Sequence, residues 1–181
     1  MTGRLVLVVG PSGAGKDSVI NAARKALADV EHFHFVRRVV TRESNAEIED
    51  HETLSPAAFE AAHERGAFAL NWQAHGLSYG LPIAIEQKLA DGRIVIANAS
   101  RRIVGEALRR YPKALVVMID APLEIRAARL AKRGREEPRQ IARRLKREAD
   151  LPASIPAVHI DNSGPLVEAV ARFLEILRAT G

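Results

Sequence analysis

A continuous apolar run, Leu5-Val6-Leu7-Val8-Val9, stops at Gly10-Pro11-Ser12-Gly13-Ala14-Gly15-Lys16, and a segment with helical periodicity follows from Lys16 to Leu27. An unbroken, β-branched run of this kind suits a strand covered on both faces, and such strands belong to parallel sheets. The glycines let the backbone fold back so that successive N–H groups point at one anion, and the helix start adds the positive end of its dipole. Glycine, four residues, then Gly-Lys is the Walker A pattern, here in the strand, turn and helix context that gives it physical meaning. An α/β architecture with a site for nucleotide phosphates is therefore expected. The loop from Gly10 through Pro11, Ser12, Gly13, Ala14 and Gly15 to Lys16, with Asp17 and Ser18 behind it, is the predicted ATP-binding segment, and Lys16 is the predicted catalytic cation.

One position breaks the pattern. The residue after the lysine is normally Ser or Thr, whose hydroxyl ligates Mg²⁺, whereas this chain has Asp17 and only then Ser18. A carboxylate can also ligate Mg²⁺, so Asp17 is the candidate metal ligand; capping of the helix N-terminus is the alternative at this stage.

Further along, apolar runs alternate with helical patterns. Strands are expected at Glu31 to Thr41, Arg93 to Ala99, Ala114 to Ile119 and Ala157 to Asp161, with shorter ones around Gly76 between Ala67 and Tyr79. Helices are expected at Ser55 to Arg65, which opens on an N-cap followed by Pro56, and at Pro82 to Ala90, Arg101 to Arg110, Pro122 to Arg133, Pro138 to Ala149 and Pro165 to Arg178. Strands alternating with helices predict a mostly parallel sheet covered on both faces, with the Thr41 to Tyr79 stretch as an irregular insertion over one edge.

Composition narrows the function. With 181 residues, 47% of them hydrophobic, one domain can bury a core without disulfides. The absence of cysteine removes thiol catalysis and thiolate metal sites and suits a reducing cytoplasm. No apolar run reaches membrane-spanning length and no signal-peptide pattern opens the chain, so no membrane partner is expected. The formal charge of +5 rests on 21 Arg against 6 Lys, and the arginine fork suits bidentate contact with phosphate oxygens. Nucleic acid is not the expected partner, because only 4% of residues are aromatic and no nucleic-acid-binding motif is present.

Beyond the loop the chain resembles the guanylate kinase group of nucleoside monophosphate kinases. The matching pieces are Gly10 to Lys16, Val40-Thr41-Arg42, Asp50 with Leu54-Ser55 and Phe59, Gly66 to Phe68, Trp72 with Gly76, Tyr79 and Gly80, then Gly92-Arg93, Arg129-Leu130, Arg133-Gly134 and Ile141 to Leu145. The resemblance implies one P-loop kinase domain: a core of about residues 1–30, 92–130 and 141–181, an acceptor-binding subdomain of about 31–91 and a basic lid of about 131–140. It implies ATP and Mg²⁺ as cofactors and a phosphate-bearing acceptor. It also implies that Arg133 and Arg144 close over the transferring phosphoryl group and that Asn162 sits in the adenine-contacting loop, with a helix cap before Pro165 as the alternative for that residue.

The acceptor pocket departs from a guanine-reading one. Where the resemblance expects a small hydroxyl, a carboxylate beside Trp72 and a phosphate-binding tyrosine, this chain has Arg38, Asn71 and His51. Guanine's N1–H and amino group need an acceptor carboxylate, and a site that leaves such donors unpaired discriminates strongly against the base. Arg38, Arg42, His51, Asn71, Tyr79 and Arg101 are the predicted acceptor-binding residues. Together with Gly15-Lys16-Asp17-Ser18 at the start of the first helix, the Glu49-Asp50-His51 cluster and Trp72-Gln73-Ala74-His75-Gly76-Leu77, this set resembles that of the guanylate kinase-like enzymes that phosphorylate ribose 1,5-bisphosphate during phosphonate breakdown, which implies a sugar bisphosphate as small-molecule partner and 5-phosphoribosyl 1-diphosphate as product. A guanylate kinase with an altered pocket and a non-catalytic interaction module on the same fold are the alternatives.

Overall fold

A computed structural model describes residues 3–42, 51–74, 76–132, 142, 145 and 151–181. Two sheets organise the chain. The first contains β1 (Arg4–Val9), β2 (Phe33–Phe35), β7 (Ile94–Asn98), β8 (Leu115–Asp120) and β9 (Val158–Asp161), all parallel, in the order β2-β7-β1-β8-β9. The second contains β3 (Arg38–Val40), β4 (His51–Thr53), β5 (Phe68–Ala74) and β6 (Leu77–Pro82) in the order β4-β3-β6-β5, with β3 and β4 parallel and the other pairs antiparallel. The insertion is thus a mixed sheet of its own, more regular than the sequence pattern suggests.

Both faces of β1 are buried because its side chains alternate between two cores. Leu5, Leu7 and Val9 pack toward α3 (Ile85–Ala90), α4 (Val104–Arg110) and the β5 and β6 residues Leu70, Trp72 and Leu81. Val6 and Val8 pack toward Val19, Ile20 and Ala23 of α1 (Lys16–Ala26) and Phe173, Ile176 and Leu177 of α6 (Leu166–Arg178). Phe173 is fully buried. On the second sheet, Phe59 of α2 (Pro56–Glu64) stacks on Phe68 with ring centroids 4.5 Å apart, and Ser55 caps α2 by accepting from the Ala58 N–H at 3.2 Å. A further helix, α5 (Leu123–Lys132), follows β8.

The Glu31 to Thr41 stretch divides into β2 and β3, which lie in different sheets. Phe33 pairs with Ile94 of the core, whereas Arg38 pairs with His51 of the insertion. The Arg101 to Arg110 segment begins as a 3-10 turn, Arg101–Ile103, before α4. The expected Pro138 to Ala149 helix and the lid at about 131–140 lie largely outside the described residues.

β1 is flanked by β7 on one side and β8 on the other, so the chain's progression across the sheet reverses there. In open α/β sheets the crevice at such a point, beyond the carboxyl ends of the strands, is where ligands bind. The phosphate loop after β1 and residues 98–100 after β7 meet at this crevice.

Candidate active site

Gly10 leaves β1 with φ +148°, and a Cβ built on it would sit 2.0 Å from the Ile119 carbonyl oxygen. Only glycine lets the loop lie this close to β8. The loop then turns through Gly13 and Gly15, and α1 begins with Gly15 in a left-handed conformation. Lys16 folds back over the loop, its Nζ donating to the carbonyls of Gly10 at 2.8 Å and Pro11 at 3.0 Å. The ammonium is thereby held over the anion cradle.

The loop is braced from outside. Asn162, 3% exposed just after β9, donates from Nδ2 to the Ala14 carbonyl at 2.7 Å. Arg129 on α5 donates to the Asn162 carbonyl at 2.8 Å. Asn162 thus fixes the loop backbone from a buried position. With Gly15, Ser18, Lys132 and Leu166, Asn162 and Arg129 line a recess beside the start of α1. Arg129 is a site residue that the candidate set omits: it lies among basic residues whose periodicity gives no sign of which one turns inward.

Opposite the loop stands the second sheet. One cleft is lined by Gly10, Ser12, Gly13, Gly15, Lys16 and Asp17 from the loop side and by Arg38, Arg42, Trp72, Ala74 and Tyr79 from the β3, β5 and β6 side, with Asn98, Ala99 and Ser100 between them. Trp72 and Tyr79 are cross-strand partners whose rings stack at 5.4 Å with 3° between planes, and the Arg38 guanidinium lies 5.5 Å from the Tyr79 ring centroid. Aromatic stacking with a cation over its outer face is favourable and stiffens this wall. Among the described lining residues, the cations Lys16, Arg38 and Arg42 therefore share one crevice with one carboxylate, Asp17.

Three predicted acceptor ligands lie elsewhere. His51 is 1% exposed and does not line the cleft; its Nε2 donates to the Arg42 carbonyl at 3.0 Å, so it supports Arg42 from behind. Thr53 donates to the same carbonyl at 3.0 Å. Asn71 neighbours Trp72, and adjacent strand residues point to opposite faces. Trp72 and Ala74 face the cleft, while the Asn71 amide lies 3.4 Å from Nδ1 of His63 on α2. The residue sharing the Trp72 face is Leu70, which is buried, so no carboxylate enters from this strand. Arg101 lies one residue beyond Ser100 in the 3-10 turn and is not part of the lining. Pro11 and Ala14 are buried within the loop, and Ser18 is exposed on the recess side. Arg133 and Arg144 lie outside the described residues.

Asp17 accepts a hydrogen bond from Asn98 Nδ2 at 2.6 Å. The Asn98 carbonyl oxygen, Oδ1, is buried without a partner among the described residues. A carboxylate and an amide oxygen are hard donors of the kind Mg²⁺ accepts, and in kinase sites Mg²⁺ combines one or two carboxylates with phosphate oxygens and water. The residues present fit that ion. Asp120 accepts from the Ala121 N–H at 2.7 Å and lies 3.8 Å from Arg126.

Asn98 is a second omission from the sequence-derived set. It is the first polar residue after the apolar run from Ile94 to Ala97, at the carboxyl end of a parallel strand beside β1, which is the signal that could have found it.

No family model matches the chain. Its relatives are nevertheless clear. The ribose 1,5-bisphosphate phosphokinase PhnN of Brucella melitensis biotype 2 is 49% identical over 176 residues, covering 97% of this chain and 92% of that protein. The protein of the same name from Pseudomonas paraeruginosa is 44% identical over 176 residues, covering 96% and 95% respectively. Among solved structures, guanylate kinase from Anaplasma phagocytophilum superimposes with a TM-score of 0.72 at 16% identity, over 98% of this chain and 86% of that one. On the strength of these full-length relatives, the chain belongs to the ribose 1,5-bisphosphate phosphokinase family and has a guanylate kinase-like fold.

Proposed function

We propose that this protein transfers the γ-phosphoryl group of ATP to ribose 1,5-bisphosphate, giving 5-phosphoribosyl 1-diphosphate and ADP. The observation that carries the reading is the cleft in which the phosphate loop faces Arg38, Arg42 and Tyr79. The names of the relatives supply the acceptor, and the chemistry of the wall agrees with it. The described lining on the acceptor side holds two guanidiniums and a phenol and no carboxylate. Such a wall suits phosphate oxygens and hydroxyls and, among the described residues, presents no carboxylate to the N1–H and amino group of guanine.

The attacking atom is an oxygen of the acceptor's anomeric phosphate, already ionised at neutral pH. It forms a bond to the γ phosphorus as the bond from that phosphorus to the β-bridging oxygen breaks. No strong general base is needed, and rate acceleration comes from positioning and charge neutralisation. The loop N–H groups hold the nucleotide phosphates. Lys16 exchanges its contacts with the Gly10 and Pro11 carbonyls for the β and γ phosphates. Arg42 and Tyr79 hold an acceptor phosphate, and Arg38 supplies a further cation. Asp17 is the residue that would hold Mg²⁺, which neutralises the β and γ oxygens when bound. Arg133 and Arg144 are assigned, through the family resemblance, to closing over the transferring group.

The test is ADP release measured with purified protein and each acceptor in turn. Ribose 1,5-bisphosphate should support turnover and GMP should not. Turnover with GMP at a comparable kcat/KM would refute the acceptor assignment while leaving the kinase reading intact.

A further inference from the structure

The contact between Asp17 and Asn98 joins residues 81 positions apart in the chain, and it solves an electrostatic problem. A serine or threonine after the loop lysine is neutral. An aspartate there is an anion in a crevice that also contains Lys16, Arg38 and Arg42. Left to rotate, that carboxylate would pair with one of these cations and withdraw it from phosphate, because charge-assisted bonds are the strongest on offer. Asn98 removes one oxygen from that competition with a neutral donor. An ionised carboxylate only accepts, so the amide must present its NH₂ group to Asp17, and this leaves Asn98 Oδ1 as the buried acceptor without a partner among the described residues. A water molecule on a bound cation is a donor of the kind that acceptor lacks.

We propose that Asn98 is a positioning residue for the magnesium nucleotide: from the carboxyl end of β7 it locks the Asp17 carboxylate in one orientation, as a metal ligand rather than as a counter-ion for the catalytic cations. The backbone of Asn98 is set by the central sheet, because Asn98 pairs with Val8 in the β1 and β7 ladder at the edge of the cleft that it lines. The lock therefore ties the helix start to the central sheet. This inference rests on the Mg²⁺-ATP part of the proposed function and is independent of the acceptor.

The test uses the full chain and calorimetric titration of ATP, with Mg²⁺ and with EDTA, and no acceptor. Asn98→Leu keeps side-chain size and removes the amide. The tightening conferred by Mg²⁺, read as the ratio of ATP affinity with Mg²⁺ to that in EDTA, should fall about tenfold in this variant, the scale of one lost hydrogen bond to a charged group. Asp17→Asn should lose that tightening as well. The double variant should be no worse than Asp17→Asn alone, since a residue that acts only through Asp17 has nothing left to position. Asn98→Ala serves the same arm if leucine impairs folding. Full Mg²⁺ tightening in the Asn98 variants, or additive losses in the double variant, would overturn the proposal. Failure of the unsubstituted protein to bind ATP at all would sink the kinase reading and this inference with it, whereas an unexpected acceptor preference would touch neither.

Discussion

Replacing His51 by leucine should separate function from stability. The imidazole is 1% exposed and makes one useful bond, from Nε2 to the Arg42 carbonyl at 3.0 Å. The other ring nitrogen, Nδ1, is buried without a partner among the described residues. Leucine of similar size removes both atoms. Losing the bond costs about 1 kcal/mol, while removing a buried unsatisfied polar atom returns about 1–3 kcal/mol. The Arg42 carbonyl keeps its second donor, Thr53 Oγ1 at 3.0 Å, so it is not orphaned. The net change in stability should therefore lie within about 1–2 kcal/mol of zero, a Tm shift of no more than about 8 °C for a chain of this size and in the stabilising direction if anything. Arg42 nevertheless loses its buried anchor at the point where its side chain enters the acceptor cleft. If about 1 kcal/mol of that positioning is expressed in the bound state, the KM for the acceptor rises about fivefold while the KM for ATP stays put. Thermal melts and initial rates with each substrate varied separately read the two effects, and His51→Gln, which keeps a donor, should recover part of the acceptor KM. A collapse in Tm with both KM values unchanged would show that His51 is only a packing residue.

Other perturbations have equally definite outcomes. Lys16→Met keeps the apolar stem and removes the charge, so kcat should fall by about 100-fold or more with the melting curve little altered; turnover within tenfold of the original would refute the role of Lys16. Gly10→Ala drives a methyl group into the Ile119 carbonyl 2.0 Å away, whereas Gly66→Ala, with φ +72° and nothing within 4 Å, meets backbone strain alone. The first should cost several kcal/mol by urea denaturation and weaken ATP binding, and the second about 1–2 kcal/mol with ATP binding unchanged. Burial, aided by its hydrogen bond to Glu86, pushes the Tyr111 phenol from 10.0 up to about 12. The unfolded chain loses this proton first, so its stabilising contribution is complete below pH 10 and is lost as the pH rises toward 12. Urea midpoints across that range should fall in the original protein, and this component of the fall should vanish in Tyr111→Phe.

The parts of the fold visible in the sequence are those set by local signals. The run from Leu5 to Val9, the glycines after it and Ser55-Pro56 before α2 each specify their structure through neighbours in the chain. Long-range pairing decides what local signals do not. Nothing in the apolar and aromatic stretch from Phe33 to Val40 marks the change of sheet, because both halves favour strand and only their partners, Ile94 and His51, differ. The loop half of the site was legible for the same reason: its geometry is written in consecutive residues. The pairing of Asp17 with Asn98 and the support of Ala14 by Asn162 join positions far apart in sequence, which no periodicity encodes.

Phase explains the acceptor wall. A strand pattern states that alternate residues share a face but not which set faces the ligand, and a slip of one residue exchanges the two sets. In β5 the pairing of Trp72 with Tyr79 fixes the phase, putting Trp72 and Ala74 on the cleft side and the Asn71 amide beside His63. The opposite phase would present Asn71 and Gln73, two amides able to hydrogen-bond a planar base edge, and would turn the indole away. The observed phase instead stacks the indole on Tyr79, with Arg38 over the Tyr79 ring, so this wall presents the indole, Ala74, a guanidinium and a phenol to the cleft in place of two amides. The proposed preference for an acceptor without a nucleobase therefore rests on strand register as much as on residue identity. Residue identity alone points to Asn71, while register assigns the corresponding face to Leu70, Trp72 and Ala74.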